Sequence, residues 1–314
     1  MTVQRHPRTL QLDERGALNF PVPRSGAAAS AGTWSVAGNS TSRRTAIDLI
    51  TGPLAPYRDS LTLIGGQAVM LRTIDRFDLA TDTDDADFAI TPQLVTDDPK
   101  IEDELRKAGF EPRSTSRPGL WGRQSYTNPV TGQKAWAEML DLDCPLAFSG
   151  ATSPKRRSVP ALSSHGRQAT GAAVGLELAV IDRELLTVTD LMDTSRASEM
   201  WVAGQAGLLC AKSYKIGERL YETGGKRFSR PKDYLDFFLL LDSSDPGTVA
   251  TVFNKQKDDP VIGNSVRQGA TFIRRLLSDP AVKSDLQDAL GRRVPSNVLN
   301  DLYEAWRRIF PDVE

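Results

Sequence analysis

The chain has 314 residues, of which 39% are hydrophobic and 25% charged, so it can bury a sizeable core, and its length favours two domains. A formal net charge of −1 means that any nucleic-acid partner must be held by a local basic patch and not by overall charge. The two cysteines, Cys144 and Cys210, are far apart in apolar segments, which argues against a disulfide framework or zinc site and fits a reducing cytoplasm.

The N-terminal segment offers little to bury. Residues 1–45 are rich in polar and small residues, and the sequence lacks both a secretion signal and the ~20 consecutive apolar residues needed to cross a bilayer. We expect residues 1–45 to form a flexible arm, a helix to run over Ser42–Leu54, and the protein to be cytoplasmic with no membrane partner.

A short strand is predicted to end in a glycine turn. Leu61, Leu63 and Ile64 form a β-prone run, Gly65-Gly66 permits a sharp turn, and Gln67–Arg72 continues as an apolar helix. Backbone N–H groups at the start of a helix attract phosphate, so this turn is a candidate phosphate site. A turn with no ligand is the alternative.

The next strand carries two carboxylates on one face. In the segment 85–90, DADFAI, a period of two directs Ala86, Phe88 and Ile90 to one face, and Asp85 and Asp87 to the other. Paired carboxylates repel each other unless a cation lies between them, and hard oxygen ligands suit Mg²⁺. Because further aspartates lie nearby, a solvated acidic turn is the alternative.

A third carboxylate is expected from the segment 135–145, AWAEMLDLDCP. Its alternation places Asp141 and Asp143 on one face, so either could lie beside the Asp85/Asp87 strand in an antiparallel sheet. Three carboxylates around two Mg²⁺ ions form the arrangement used for phosphoryl and nucleotidyl transfer. A solvent-facing strand edge is the alternative.

Two basic segments are candidates for binding a phosphate backbone. Seven Lys or Arg residues and two Glu residues fall within 212–232, a net charge of +5, and a second cluster lies in the loop-like segment 149–170. Both could instead be ordinary solvated surface. The candidate RNA-binding residues are Lys155, Arg156, Arg157, Lys215, Arg219, Lys226 and Arg227.

The C-terminal part is predicted to be mostly helical, since amphipathic patterns recur from Ala206 onward. Pro231 suits the first turn of a helix that continues through an apolar run to Leu241. The expected fold class is therefore α+β, with a mixed or antiparallel sheet flanked by helices over 46–185, followed by a helical bundle over 186–314.

The order of these motifs resembles a known family. Gly-Gly, a helix, an Asp-x-Asp strand, a later Asp strand, LLCAK and RPKDYLDFFLLL together resemble the AbiEii/AbiGii-type nucleotidyltransferase toxins, including the MenT-type enzymes, within the DNA polymerase β-like superfamily. The resemblance covers about residues 58–242. It implies a nucleotidyltransferase fold for the N-terminal part of the chain.

The resemblance also implies roles for individual residues. Gly65 and Gly66, with Gln67 and Arg72, would bind the nucleotide, and Asp85, Asp87 and Asp141 would bind two Mg²⁺ ions. Lys212 would contact phosphate, and Asp233 would complete the polar active-site residues. Asp84 and Asp143 remain alternatives to their neighbours.

The implied function is transfer of a nucleotide from an NTP to the 3′ end of tRNA by a toxin, with a possible cognate antitoxin as partner. A protein or small molecule as acceptor is one alternative. A nucleotide-binding regulator without turnover is the other.

Overall fold

A computed structural model describes residues 32–74, 83–150, 160–222 and 231–310. Over these residues the fold is α+β, as predicted: a nine-stranded mixed sheet is followed by a helical C-terminal part. The strands are β1 Leu61–Leu63, β2 Asp85–Ile90, β3 Glu111–Pro112, β4 Leu120–Thr127, β5 Lys134–Pro145, β6 Pro160–Ala161, β7 Thr170–Ala173, β8 Arg183–Thr189 and β9 Ala197–Ala203.

The strands lie in the order β3-β4-β5-β2-β1-β9-β8, with β7 beside β5 and β6 beside β7. Most neighbours are antiparallel, whereas β1 with β9, β2 with β5 and β5 with β7 are parallel. The two acidic strands are therefore direct neighbours near the middle of the sheet.

The predicted antiparallel pairing of the acidic strands is wrong, because β2 and β5 are parallel. Parallel neighbours need a crossover connection, and the chain between Ile90 and Lys134 supplies it through a helix and the strands β3 and β4. Strand β4 then pairs antiparallel with β5. The register places Asp87 opposite Asp141 and Ala89 opposite Asp143.

Ten helices surround the sheet or form the C-terminal part of the described chain. They are α1 Gly32–Thr51, α2 Gly65–Arg72, α3 Ile101–Lys107, α4 Glu177–Ile181, α5 Gln205–Gly217, α6 Pro231–Ser243, α7 Pro246–Gln256, α8 Gly263–Ser278, α9 Pro280–Leu290 and α10 Ser296–Ile309. In the described parts of the chain, no helix combines the length and the apolar character needed to cross a membrane.

Element boundaries differ from expectation at three places. Helix α1 begins at Gly32, so the end of the segment predicted as a flexible arm is helical, and residues 1–31 lie outside the described residues. The division predicted between 185 and 186 falls inside β8, and among the described residues no strand follows Ala203. Helix α9 was not predicted. It begins at Pro280, with the Asp279 carboxylate accepting a hydrogen bond from the Ala281 N–H as an N-cap.

The apolar face of β2 is fully buried. Ala86, Phe88 and Ile90 have no exposed surface, and they belong to a continuous core with Leu140 and Leu142 of β5. Helix α1 packs against both strands. Burial on this side fixes the alternation of β2, so the aspartates must project from the opposite face.

We predict that Phe88→Ala lowers the free energy of unfolding by about 3–5 kcal/mol, because the substitution leaves a cavity in the core beneath the acidic strand. Urea denaturation followed by circular dichroism measures the change. Val130→Ala is the control, since Val130 is 90% exposed and should alter stability by less than about 0.5 kcal/mol. A loss for Phe88→Ala as small as that of the control would contradict the packing described.

Candidate active site

Three predicted aspartates meet on one face of the sheet. One carboxylate oxygen from each of Asp85, Asp87 and Asp141 lies within 4.8 Å of the other two. The parallel register of β2 and β5 explains the arrangement, since residues opposite each other in a ladder project to the same face. Asp84 precedes β2 and is exposed, whereas Asp143 is buried one pair further along β5, opposite Gly171 of β7.

The glycine turn lies directly against this cluster. Gly65 has φ of +67°, and a Cβ at that position would collide with the Asp87 carboxylate. The Ile64 N–H donates to the backbone oxygen of Asp87 at 2.9 Å, which joins the end of β1 to β2. Helix α2 begins at Gly65, so its first amides lie beside the acidic cluster. A side chain at residue 65 would be incompatible with both the backbone conformation and the space.

The buried Thr83 supports the first aspartate. Its hydroxyl donates to Oδ1 of Asp85 at 3.1 Å, and a Cβ on Gly66 would lie 3.0 Å from the Thr83 side chain. Thr83 therefore links the glycine turn to the Asp85 carboxylate. The period of two in Thr83-x-Asp85-x-Asp87 could have identified it from sequence, because an extended chain directs residues two apart to the same face.

The pKa of Asp87 is shifted by its surroundings in the cluster. Burial raises its pKa well above the usual range, and the negative charges of Asp85 and Asp141 raise it further. The charges of Lys215 and Lys212 act in the opposite direction, so both lysines are close enough to lower the pKa of Asp87. Asp87 and these two lysines, far apart in the sequence, are thus close in the fold.

Arg113 contacts the third carboxylate. Its Nη1 donates to Oδ1 of Asp141 at 3.1 Å, and the two side chains are 23% and 12% exposed. No local pattern in the sequence indicates this residue, because its position depends on the pairing of β3, β4 and β5.

Lys212 lies in a buried ion pair. Its Nζ donates to Oδ2 of Asp236 at 2.5 Å, and the side chains are 6% and 1% exposed. Burial lowers the pKa of Lys212, but Asp236 and Asp233 outweigh that effect, so the pKa is raised overall and the ammonium is charged. Asp236 was missed, although Asp233 and Asp236 are spaced i,i+3 on one helix face.

Asp233 holds two cations of α5 and the turn that follows it. Its Oδ1 lies 2.9 Å from Nζ of Lys215, and its Oδ2 accepts from Nη1 of Arg219 at 2.5 Å. Burial raises the pKa of Asp233, but Lys215, Lys212 and Arg219 lower it more, so the buried carboxylate is ionised. For Lys215, burial and the neighbouring Lys212 lower the pKa. Asp233 thus pairs with cations, while the cluster of three carboxylates is formed by Asp85, Asp87 and Asp141.

Two side chains predicted to bind nucleotide, Gln67 and Arg72, make hydrogen bonds to protein groups in the structure, and their nucleotide-binding role stays a prediction. Gln67 is buried between α1 and α2, where its amide donates to the Ser42 hydroxyl and its Oε1 accepts from Nε of Arg43 at 3.1 Å. Arg72 donates to the backbone oxygens of Ala203 at 2.8 Å and Val202 at 2.9 Å. Both side chains anchor α2 to its neighbours.

The basic residues predicted to bind RNA are only partly described. Lys215 lies close enough to the acidic cluster to lower the pKa of Asp87, and Asp233 pairs with both Lys215 and Arg219. The other predicted residues lie outside the described residues: Lys155, Arg156, Arg157, Lys226 and Arg227.

The donor set of the three aspartates fits a divalent metal ion. Carboxylate oxygens are ligands of Mg²⁺ and Mn²⁺, and a cation among them would relieve the repulsion that adds to burial in raising the pKa of Asp87. Asp85, Asp87 and Asp141 could therefore hold such an ion together.

Comparison with known proteins leaves the family open. Neither a protein-family model nor a curated protein matches the chain. Among solved structures, the chain is similar to the crystal structure of an antigenic nucleotidyltransferase-like protein from Paracoccidioides brasiliensis, with 15% identity and a TM-score of 0.35. The similarity covers 74% of this chain and 94% of that one. A likeness this distant assigns no family, so the function is argued from the site.

We predict that a divalent metal stabilises the protein through Asp87. At a Mn²⁺ concentration 100 times its Kd, the free energy of unfolding should rise by about 2.7 kcal/mol in the wild type and not in Asp87→Asn. The metal effect should fade as pH drops, because protons compete for Asp87 and its raised pKa moves this competition to higher pH. Thermal unfolding at several pH values measures both effects.

In the metal-free protein, the free energy of unfolding is expected to change with pH in the opposite direction. A carboxyl group with a raised pKa binds more protons in the folded than in the unfolded state, so metal-free wild type gains stability as pH falls through that pKa. Asp87→Asn should therefore be more stable than metal-free wild type at neutral pH. Asp84→Asn is the control, since Asp84 is exposed next to the cluster. Equal metal stabilisation of wild type and Asp87→Asn would contradict the assignment.

We predict that Lys212→Ala lowers the free energy of unfolding by about 3–5 kcal/mol, since it leaves the Asp236 carboxylate buried without its cation. Lys212→Met/Asp236→Leu should lose less than Lys212→Ala, because no charge is stranded. Chemical denaturation of Lys212→Met, Asp236→Leu and the double variant gives the coupling energy. Additive single-variant effects would show that the pair is not coupled.

Proposed function

We propose that the protein is a Mg²⁺-dependent nucleotidyltransferase that transfers NMP from an NTP to an acceptor hydroxyl, most specifically the 3′ end of tRNA. The observation that carries the proposal is the meeting of Asp85, Asp87 and Asp141, with three carboxylate oxygens within 4.8 Å of one another beside a glycine turn. An oxygen-lined cluster at the start of a helix suits a metal-bound triphosphate.

The chemistry divides between the cluster and its surroundings. Metal ions held by the three aspartates would activate the acceptor hydroxyl and offset the charge of the triphosphate. The amides that follow Gly65 are placed to donate to phosphate oxygens. Lys215 and Arg219, held by Asp233 and each more than one third exposed, are placed to meet the negative charge that develops on the leaving pyrophosphate.

The transfer itself is an in-line displacement. The acceptor oxygen forms a bond to the α-phosphorus of the NTP while the bond to the bridging oxygen breaks, so that pyrophosphate leaves and the hydroxyl proton passes to solvent or a base. Asp85 is held by Thr83, and Asp87 by the register of β2 and β5. Fixed carboxylates of this kind favour catalysis because little reorganisation is needed during the reaction.

The acceptor and the biological role rest on the resemblance to the AbiEii/AbiGii-type toxins. That resemblance favours tRNA as acceptor and a toxin of a toxin–antitoxin or phage-defence pair, with an antitoxin as partner. The cationic groups near the cluster support an acceptor with a phosphate backbone, since Lys215 and Arg219 keep partly exposed side chains.

We predict that the wild-type protein, incubated with total RNA, Mg²⁺ and each α-³²P-labelled NTP in turn, labels RNA of tRNA size. Asp87→Ala should reduce the rate at least about a thousandfold, since each lost interaction with the transferring phosphate is worth several kcal/mol. Asp84→Ala is the matched control and should keep wild-type activity, because its side chain is exposed outside the cluster. Gel electrophoresis and pyrophosphate release measure the reaction.

Other results would redirect the proposal. Label on a protein band or a small hydroxylated compound would replace tRNA as acceptor and keep the chemistry. NTP binding without pyrophosphate release, equal in wild type and Asp87→Ala, would reject catalysis.

For the toxin role, growth arrest on expression of wild type but not of Asp85→Ala is expected, and growth with both would reject it.

A further inference from the structure

Arg113 lies in the same line of paired residues across the sheet as Asp141 and Asp87. The Arg113 N–H donates to the backbone oxygen of Leu120 at 2.8 Å, Leu120 is opposite Asp141, and Asp141 is opposite Asp87. Residues opposite each other in neighbouring strands project to the same face. The Arg113 side chain therefore reaches across Leu120 onto the acidic face, and its contact with Asp141 follows from the sheet register.

This contact uses one of the two carboxylate oxygens of Asp141, a residue of the acidic cluster. Nη1 of Arg113 lies 3.1 Å from Oδ1 of Asp141, while both side chains retain some exposure at the site. A guanidinium and a divalent cation lower each other's affinity when they share a carboxylate, because both are attracted by the same charge. An Arg also carries five N–H donors with the geometry that binds phosphate oxygens.

We propose that Arg113 is an exchange residue: it pairs with Asp141 in the metal-free protein, yields that carboxylate to the metal, and then binds a phosphate oxygen of the triphosphate. This inference rests on the proposed function for its second step. Metal binding and triphosphate binding are coupled in this scheme, since the arrival of the metal releases the cation that the triphosphate needs.

Two equilibrium measurements test the exchange without turnover. Mn²⁺ binding is followed by the electron paramagnetic resonance signal of the free ion, and inorganic tripolyphosphate binding in saturating Mn²⁺ by calorimetry. For Arg113→Gln, Mn²⁺ should bind about fivefold tighter, because its competitor is gone. Tripolyphosphate should bind about tenfold weaker, because a charged donor is lost.

The matched control lies in the same sheet. Arg123 donates to Glu138, with side chains 27% and 14% exposed, and β4 directs it to the opposite face. Arg123→Gln removes a similar partly exposed pair, so it should leave both affinities at the wild-type value. Arg113→Lys keeps the charge but not the planar donors, so we expect wild-type Mn²⁺ affinity and about threefold weaker tripolyphosphate binding.

An Arg113→Gln protein that binds Mn²⁺ no more tightly than wild type, or tripolyphosphate no more weakly, would overturn the exchange. If Arg113→Gln does not fold by circular dichroism, the tripolyphosphate affinity of Arg113→Lys decides, and an unchanged value would overturn the proposal. The nucleotide-labelling assay fails or succeeds independently. A wild-type protein that binds Mn²⁺ and tripolyphosphate but labels no acceptor would reject nucleotidyl transfer and leave the exchange supported.

Discussion

The repulsion among Asp85, Asp87 and Asp141 is the constraint around which the sheet is built. Three carboxylates within 4.8 Å repel one another, and the pKa of Asp87 is raised first by burial and then by the charges of Asp85 and Asp141. The strands that carry them are held by their other face, where Phe88, Leu140 and Leu142 are fully buried. Each such side chain contributes about 1.5–3 kcal/mol on burial. The favourable free energy of apolar burial on one face of the sheet thus offsets the unfavourable repulsion of the carboxylates on the other face.

Counter-charges lie close to the cluster, but they are bound to other acids. Lys212, Lys215 and Arg219 recur at intervals of three and four residues, so they share one side of α5 and the turn after it. Asp233 and Asp236, also three apart, face them from α6. The ion pairs join α5 and the turn after it to α6, and they fix Lys212 and Lys215 close enough to Asp87 to lower its pKa. Burial and the neighbouring aspartates outweigh the two lysines, so the cluster retains an unfavourable interaction that a divalent metal would relieve.

The sequence predicted those features of the fold and the site that depend on local residue patterns, and it did not predict those that depend on how distant strands pair. The prediction of β2 follows from the alternation of acidic and apolar residues over Asp85–Phe88 and the apolar residues that continue to Ile90, and the structure has the strand at Asp85–Ile90. Asp141 came from resemblance to a family, since alternation alone left Asp143 equally possible. The predicted direction of β5 relative to β2 is wrong, because the true direction depends on where β4 pairs, and a local pattern does not show that pairing. Arg113 was missed for the same physical reason, since hydrogen bonds across three strands bring it to Asp141.

Helix α2 shows why residue type alone does not assign a role beside such a site. Gly65 lies against Asp87, Gln67 binds groups of α1, and Arg72 binds backbone oxygens at the end of β9. A polar residue next to a glycine turn suggests nucleotide binding, yet the structure uses Gln67 and Arg72 to fix the helix at two further points. This anchoring holds the amides after Gly65 in place before any ligand arrives. Preorganised donors lose little entropy on binding, so the two side chains support the site through the position of the helix they hold.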